Sequence, residues 1–177
     1  MAEAARRSGS WLACRPGCFE CCIGPFPITQ LDAIRLREGL AALEGHDALR
    51  ADRVRRRALA SVERIRRECP VDPIGSVLAI EEAAEDELCP ALDPDTHTCD
   101  LYEARPIACR TFGPAVRFGP GSLALCELCY RGASDAQIAA CAVVVDPENV
   151  EEELLRDLAA NGRAGETIVA FALVEAS

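Results

Sequence analysis

Nine residues, Cys14-Arg-Pro-Gly-Cys18-Phe-Glu-Cys21-Cys22, carry four thiols. Thiols at that density act as disulfides, metal ligands, reactive redox groups or buried packing. The chain has 11 cysteines, an odd number, so they cannot all pair with one another. Disulfide scaffolds also belong to chains far shorter than this one. Nine of the cysteines lie in short, turn-rich segments: Cys14, Cys18, Cys21, Cys22, Cys89, Cys99, Cys109, Cys126 and Cys129. The other two differ. Cys69 ends a helical apolar stripe and Cys141 sits within Ile-Ala-Ala-Cys-Ala-Val-Val-Val. Both read as small buried hydrophobes.

Metal ligation is the chemistry the nine suit best. A Cys-x-x-Cys turn brings two thiolates toward one ion, and Cys18–Cys21 and Cys126–Cys129 both have that spacing. Structural zinc commonly uses two such knuckles. Iron–sulfur clusters use closely spaced cysteines with a distant partner. Adjacent Cys21 and Cys22 in an extended segment would point apart. One of them would then bind while the other packs or faces a second metal. Four thiolates on a divalent ion leave excess negative charge that nearby donors or cations must balance. Arg15, Arg105, Arg110 and Arg131 each lie within a few residues of a candidate ligand. Tyr102 reads as packed beside the site rather than catalytic, with a phenol able to donate to a thiolate sulfur. His97, two residues before Cys99, reads as a polar turn residue, and His46 as exposed.

These segments resemble a known family. Cys14-x3-Cys18-x2-Cys21-Cys22, then Cys89-Pro90, then Cys-Asp-Leu-Tyr-Glu-Ala-Arg-Pro-Ile-Ala-Cys-Arg-Thr-Phe from Cys99 to Phe112, are similar to the YkgJ-like cysteine-cluster proteins with their CxxCxxCC signature. Cys99, Leu101, Tyr102, Arg105, Pro106, Cys109, Arg110 and Phe112 match the second motif position by position. The first match is looser, because Cys14-x3-Cys18 is one residue longer than the signature. The resemblance covers roughly residues 14–130. It implies a zinc, iron or iron–sulfur centre held by Cys18, Cys21 or Cys22 together with Cys89, Cys99 and Cys109, with a later cysteine at Cys126 or Cys129. It brings no settled reaction.

Bulk properties narrow the setting. The chain has 177 residues, half of them hydrophobic, enough for one packed core. No apolar run reaches the roughly 18–20 residues of a membrane span, and the N-terminal stretch lacks a signal-peptide core. A cytoplasmic location is expected, where thiols stay reduced. The net charge of −10 argues against broad nucleic-acid binding. All 19 basic residues are arginine, so no lysine can form a Schiff base. Gly119-Pro120-Gly121-Ser122 reads as a turn rather than a phosphate cradle.

The elements that must position the thiols are mostly helices. Pro27–Leu43 reads as a helix, with Thr29 and Asp32 forming a capping-box-like start. Asp47–Glu68 is the clearest helix: Ala51, Val54, Ala58, Val62 and Ile65 recur at spacings of three and four. Its other faces carry eight arginines from Arg50 to Arg67, a possible docking surface for a protein partner. A shorter helix is predicted over Gly75–Glu87. A hairpin-like loop follows at Cys89–Tyr102, and Pro106 opens a short helix through Cys109 to Phe112. A second small hairpin is predicted over Ala115–Leu125. Helices are predicted at Asp135–Val145 and Pro147–Asn161, with Asn161-Gly162 as a stop. Thr167–Val174 fits helix or strand equally.

The expected fold is therefore mainly α with small irregular β-hairpins. It is a single domain over 14–177, with a flexible 1–13, built around a cysteine-rich metal-binding patch. The expected function is metal binding, with an iron–sulfur cluster ahead of a zinc or iron ion. Two alternatives remain: a thiol-redox or metal-maturation enzyme using a reactive pair, and a zinc-stapled interaction module.

Overall fold

Capping chemistry decides where the long helices begin. The computed structural model describes residues 2–68, 80, 84–119 and 121–174. These form a mainly helical protein with two-residue strand pairs, divided into two units. One is Met1–Pro16 with Ile107–Glu153, and the other is Gly17–Pro106 with Leu154–Ser177.

In the unit containing Gly17–Pro106, the Thr29 hydroxyl accepts the Asp32 N–H at 3.2 Å and starts the Gln30–His46 helix. That satisfies one of the donors a helix leaves open at its N-terminus. Asp47 then divides two helices. Its N–H bonds to Leu43 O at 2.7 Å, ending the first, and its carboxylate accepts the Arg50 N–H at 3.0 Å, capping Ala48–Glu68. The stripe Ala51, Val54, Ala58, Val62 and Ile65 is buried, as its spacing predicts. Ala51, Val54 and Ala58 meet Leu36, Leu40 and Leu43 of the preceding helix, with Val169, Ala172 and Leu173 closing the core. Each fully buried Leu, Val or Ile contributes about 1.5–3 kcal/mol.

The Thr167–Val174 run splits between its two readings. Glu166–Thr167 is a strand, antiparallel to Ile28–Thr29, and Val169–Val174 is a helix. Leu92–Asp93 and Thr98–Cys99 form the predicted hairpin. The single turn Tyr102–Ala104 lies so close to the Gln30–His46 helix that a Cβ on Gly39 would stand 2.2 Å from that of Ala104.

In the other unit, Ile107–Thr111 is the short helix after Pro106. Val116 exchanges backbone hydrogen bonds with Ala124, both at 2.9 Å, so the second hairpin is reduced to one bridge. Ser134 and Gln137 form a reciprocal capping box for Asp135–Cys141. Its core gathers Ala115, Cys126, Cys129, Tyr130 and Cys141 with Trp11 and Leu12. The Tyr130 hydroxyl accepts the Ala115 N–H at 2.8 Å and lies 2.6 Å from the Ser8 hydroxyl, which satisfies a buried phenol. Residues 2–8 are helical and Gly9–Trp11 make a 3₁₀ turn.

Some boundaries differ from expectation. The helix predicted to reach Val145 ends at Cys141, and Val143–Val144 pair parallel to Val116–Arg117. Three consecutive valines favour the extended chain. The next helix starts at Val150 rather than Pro147, because the Asp146 carboxylate accepts the N–H groups of Val150 and Glu151. It ends at Ala160, and Gly162 takes φ +79° while Arg163 N–H bonds back to Leu158 O at 2.9 Å. Most of the predicted Gly75–Glu87 helix, and Cys69, lie outside the described residues; residues 84–86 form a turn. Among the described residues no helix is long and apolar enough to cross a membrane.

Candidate metal centre

The cysteines divide between the two units. Cys18, Cys21, Cys22, Cys89 and Cys99 fall in the Gly17–Pro106 stretch. Cys14, Cys109, Cys126, Cys129 and Cys141 fall in the unit formed by Met1–Pro16 and Ile107–Glu153.

In the first group, local backbone form brings the adjacent pair together. Glu20–Cys22 is a 3₁₀ turn, not an extended segment, and Cys21 Sγ lies 4.0 Å from Cys22 Sγ. The expectation that the pair points apart fails because it assumed strand geometry, in which neighbours alternate; in a tight helical turn they do not. Two thiolates bound tetrahedrally to one zinc at about 2.3 Å stand about 3.8 Å apart. The pair therefore has the spacing of one edge of such a site.

Backbone pairing carries the other two cysteines alongside. Cys89 N–H donates to Cys22 O at 2.8 Å, and Ile23 bridges Leu88. Leu92 N–H donates to Cys89 O at 2.9 Å, and Leu92 pairs with Cys99 across the hairpin. The backbone amides of Ala91 and Leu92 favour the Cys89 thiolate and that of Leu101 the Cys99 thiolate, against a larger opposing effect of burial. Such donors hold and stabilise metal-bound thiolates.

The electrostatics match a cluster of mutually interacting thiols. The hydrogen bond from Cys22, helped by the positive charge of Arg105, lowers Cys21 to about 7. Cys22, the donor, is raised, first by that bond and then by burial. Burial pushes Cys89 up to about 12, and raises Cys99 as well. Cys89 and Cys99 each feel Cys21 and both act on Cys22. Arg105 favours the thiolate of both Cys21 and Cys99. Its guanidinium lies 3.7 Å from the centre of the Tyr102 ring, a cation–π contact. Tyr102, expected to pack beside a sulfur, is instead 57% exposed. Cys18 is half-buried. His97 sits in the hairpin turn at φ +53°, its ring 4.8 Å from that of Phe19.

One component was missed by sequence reasoning. The Asp100 carboxylate, next to Cys99, is fully buried between Arg50 and Arg57, each at 2.5 Å. Arg57 also donates to Pro90 O at 2.8 Å, beside Cys89. Two arginines of the Arg-rich helix thus brace the loops that carry Cys89 and Cys99. The acidic residue in Cys-Asp-Leu-Tyr was the available signal. Arg55 pairs with Glu44, Arg56 with Asp52 and Arg64 with Glu87.

In the second group, Cys109, Cys126 and Cys129 are buried and Cys14 is exposed. Arg110 follows Cys109 in the Ile107–Thr111 helix. Cys141 is core, its thiol donating to Arg7 O at 3.2 Å. Among the described residues no group of three or more Cys, His, Asp or Glu side chains already stands arranged to hold an ion. The soft thiol donors suit zinc, iron or iron–sulfur chemistry.

Comparison with known protein families identifies a match. The model of the CxxCxxCC family, described as a candidate zinc- or iron-chelating domain, matches residues 13–129. No curated protein and no solved structure matches the chain.

Proposed function

Because the chain belongs to the CxxCxxCC family, we propose that it is a metal-binding protein whose principal centre uses Cys21, Cys22, Cys89 and Cys99, with Cys18 at its edge. The carrying observation is the thiol pair of Cys21 and Cys22 at 4.0 Å, with the Cys89 N–H bonded to Cys22 O at 2.8 Å and Cys99 paired with Leu92 in the adjoining hairpin. Arg105 offsets part of the negative charge that four thiolates leave on a divalent ion. The pair spacing supports two thiolates on one metal. That arrangement occurs in a mononuclear zinc or iron site and in a [2Fe–2S] cluster. It is absent from a [4Fe–4S] cluster, in which each iron takes a single cysteine. The favoured reading is accordingly a single zinc or iron ion, with [2Fe–2S] as the iron–sulfur form. A reducing compartment such as the cytoplasm keeps these thiols available.

Elemental zinc, iron and acid-labile sulfide per chain, on protein purified without oxygen, test this directly. Cys89→Ser with Cys99→Ser is expected to abolish the ion at this centre. Full metal retention in that variant would overturn the assignment.

One observation favours a second reading, a thiol-redox role for the metal-free protein: Cys21 is lowered to about 7 beside Cys22. Thiolates are the reactive form. Uniformly slow alkylation of all thiols in folded, metal-free protein would exclude it.

A further inference from the structure

Away from the cysteine centre, the unit of Met1–Pro16 and Ile107–Glu153 has a strand edge with no neighbour among the described residues. Val143–Val144 lies parallel to Val116–Arg117, and Val116 is bonded on its other side to Ala124. The valine strand is therefore the edge. Val143 N–H donates to Ala115 O at 3.2 Å and Val145 N–H to Arg117 O at 2.9 Å. Successive residues of a strand direct their backbone groups to opposite sides. The N–H and C=O of Val144 accordingly point away from Val116–Arg117, and among the described residues nothing pairs with them. Exposure alternates in step: Val144 is 55% exposed, while Val143 and Val145 are half-buried.

That edge is one wall of a cleft of about 560 Å³, within the size range of binding sites. Residues 142–147 line one side, and Glu3, Ala4 and Arg7 of the Ala2–Ser8 helix line the other. The walls are tied together at the Ala142 end. Arg7 Nη1 donates to Ala142 O at 3.1 Å, and the Cys141 thiol donates to Arg7 O at 3.2 Å. Glu3 accepts Arg7 Nε at 2.8 Å and steadies the guanidinium. At the other end the chain turns off the strand, with Asp146 at φ +48° and its C=O accepting Asn149 N–H at 3.1 Å.

We propose that this cleft docks an extended segment of a partner protein, which adds as a strand beside Val144. An unpaired edge is a template for strand addition, and folds blunt it with lysine, proline or a covering element. Ala142-Val143-Val144-Val145 carries neither lysine nor proline. An extended backbone matches the donor and acceptor that Val144 presents, and the cleft takes a side chain on alternate residues. The helical wall favours a lone segment over a second copy, whose own edge lies behind the same wall. Glu148, Glu151, Glu152 and Glu153 follow the strand in a chain of net charge −10, so basic flanking residues suit the segment. The proposal does not depend on the cysteine centre.

The test passes a pool of synthetic random hexapeptides, acetylated and amidated, over the immobilised full chain. Retained peptides are expected to carry β-branched or aromatic residues at alternate positions, with basic flanks. Val144→Pro removes the outward N–H, which takes no part in the ladder to Val116–Arg117, and an edge strand tolerates proline there. It is expected to weaken retained peptides at least about tenfold. Val144→Thr, which keeps the N–H, is expected to stay within about threefold of wild type. A pool from which nothing is retained overturns the proposal, as does equal retention on wild type and Val144→Pro.

Amide exchange on the wild type avoids dependence on a variant. The Val144 N–H is expected to exchange fast in the unbound chain and to slow at least about tenfold with a saturating retained peptide. A Val144 amide already protected in dilute, unbound chain overturns the proposal. Protection that grows with chain concentration alone assigns the edge to a second copy and also overturns it.

Discussion

Replacing Asp100 by Asn removes one charge from the brace between the Arg-rich helix and the Cys99 loop while keeping the side chain's shape. The native carboxylate is fully buried and takes one hydrogen bond from each of Arg50 and Arg57. Breaking a buried ion pair from one side costs about 3–5 kcal/mol. Here the arginines keep 37% and 24% of their side-chain exposure, so water recovers part of their solvation. Fully exposed pairs are worth under about 1 kcal/mol. Between those limits, and with an Asn amide now facing a guanidinium donor, the expected loss is about 2–3 kcal/mol. At about 2–4 °C per kcal/mol for a chain of this size, Tm falls by about 5–10 °C. Thermal and urea unfolding of the metal-free protein measure it. A double-mutant cycle with Arg57→Gln isolates the pair, with an expected coupling of about 1–2 kcal/mol. A loss below about 0.5 kcal/mol, or strict additivity in the cycle, would refute the brace.

Two other outcomes follow from close contacts and charge. Gly39→Ala, which improves helix propensity by about 1 kcal/mol, is expected to destabilise by about 1–3 kcal/mol because its methyl meets Ala104; Ala104→Gly in the same chain should restore most of the loss, read by urea unfolding. In metal-free protein the alkylation rate of Cys21 is expected to reach half its maximum near pH 7. A lowered pKa means the thiolate fills in as pH rises through about 7 and is lost below it. Cys89, raised to about 12, stays slow through the same range, and mass-spectrometric mapping of labelled peptides separates the two.

The long helices were legible because their signals are local. Thr29 and Asp32 mark a cap, and the Ala51-to-Ile65 stripe marks a buried face. Turn-rich composition likewise marked the short segments around the cysteines, and Pro106 the short helix that carries Cys109. What could not be read was pairing across distance. The orientation of Cys21 and Cys22 depended on a three-residue turn that the extended reading overlooked. The arginines of Ala48–Glu68 looked like a uniform polar surface, yet Arg50 and Arg57 face a carboxylate 50 and 43 residues away. Charge reversal across Arg55, Arg56 and Arg57 would thus perturb the fold as well as any docking face. The partition of thiols into two groups was equally hidden, since Cys14 and Cys18 are sequence neighbours that fall in different units.

The strand pairing of Ile28–Thr29 with Glu166–Thr167, followed by the apolar Val169–Val174 helix, also sets a timetable. On a ribosome, the 75 residues that follow Cys99 up to Val174 take roughly 4–15 s at about 5–20 residues per second. Throughout that interval the wall completing the core around Leu36, Val54 and Ala58 does not yet exist. Cys21, Cys22, Cys89 and Cys99 have by then all been made. An ion arriving during synthesis meets these thiols on an open chain, whereas one arriving afterwards meets them buried or half-buried against a finished core.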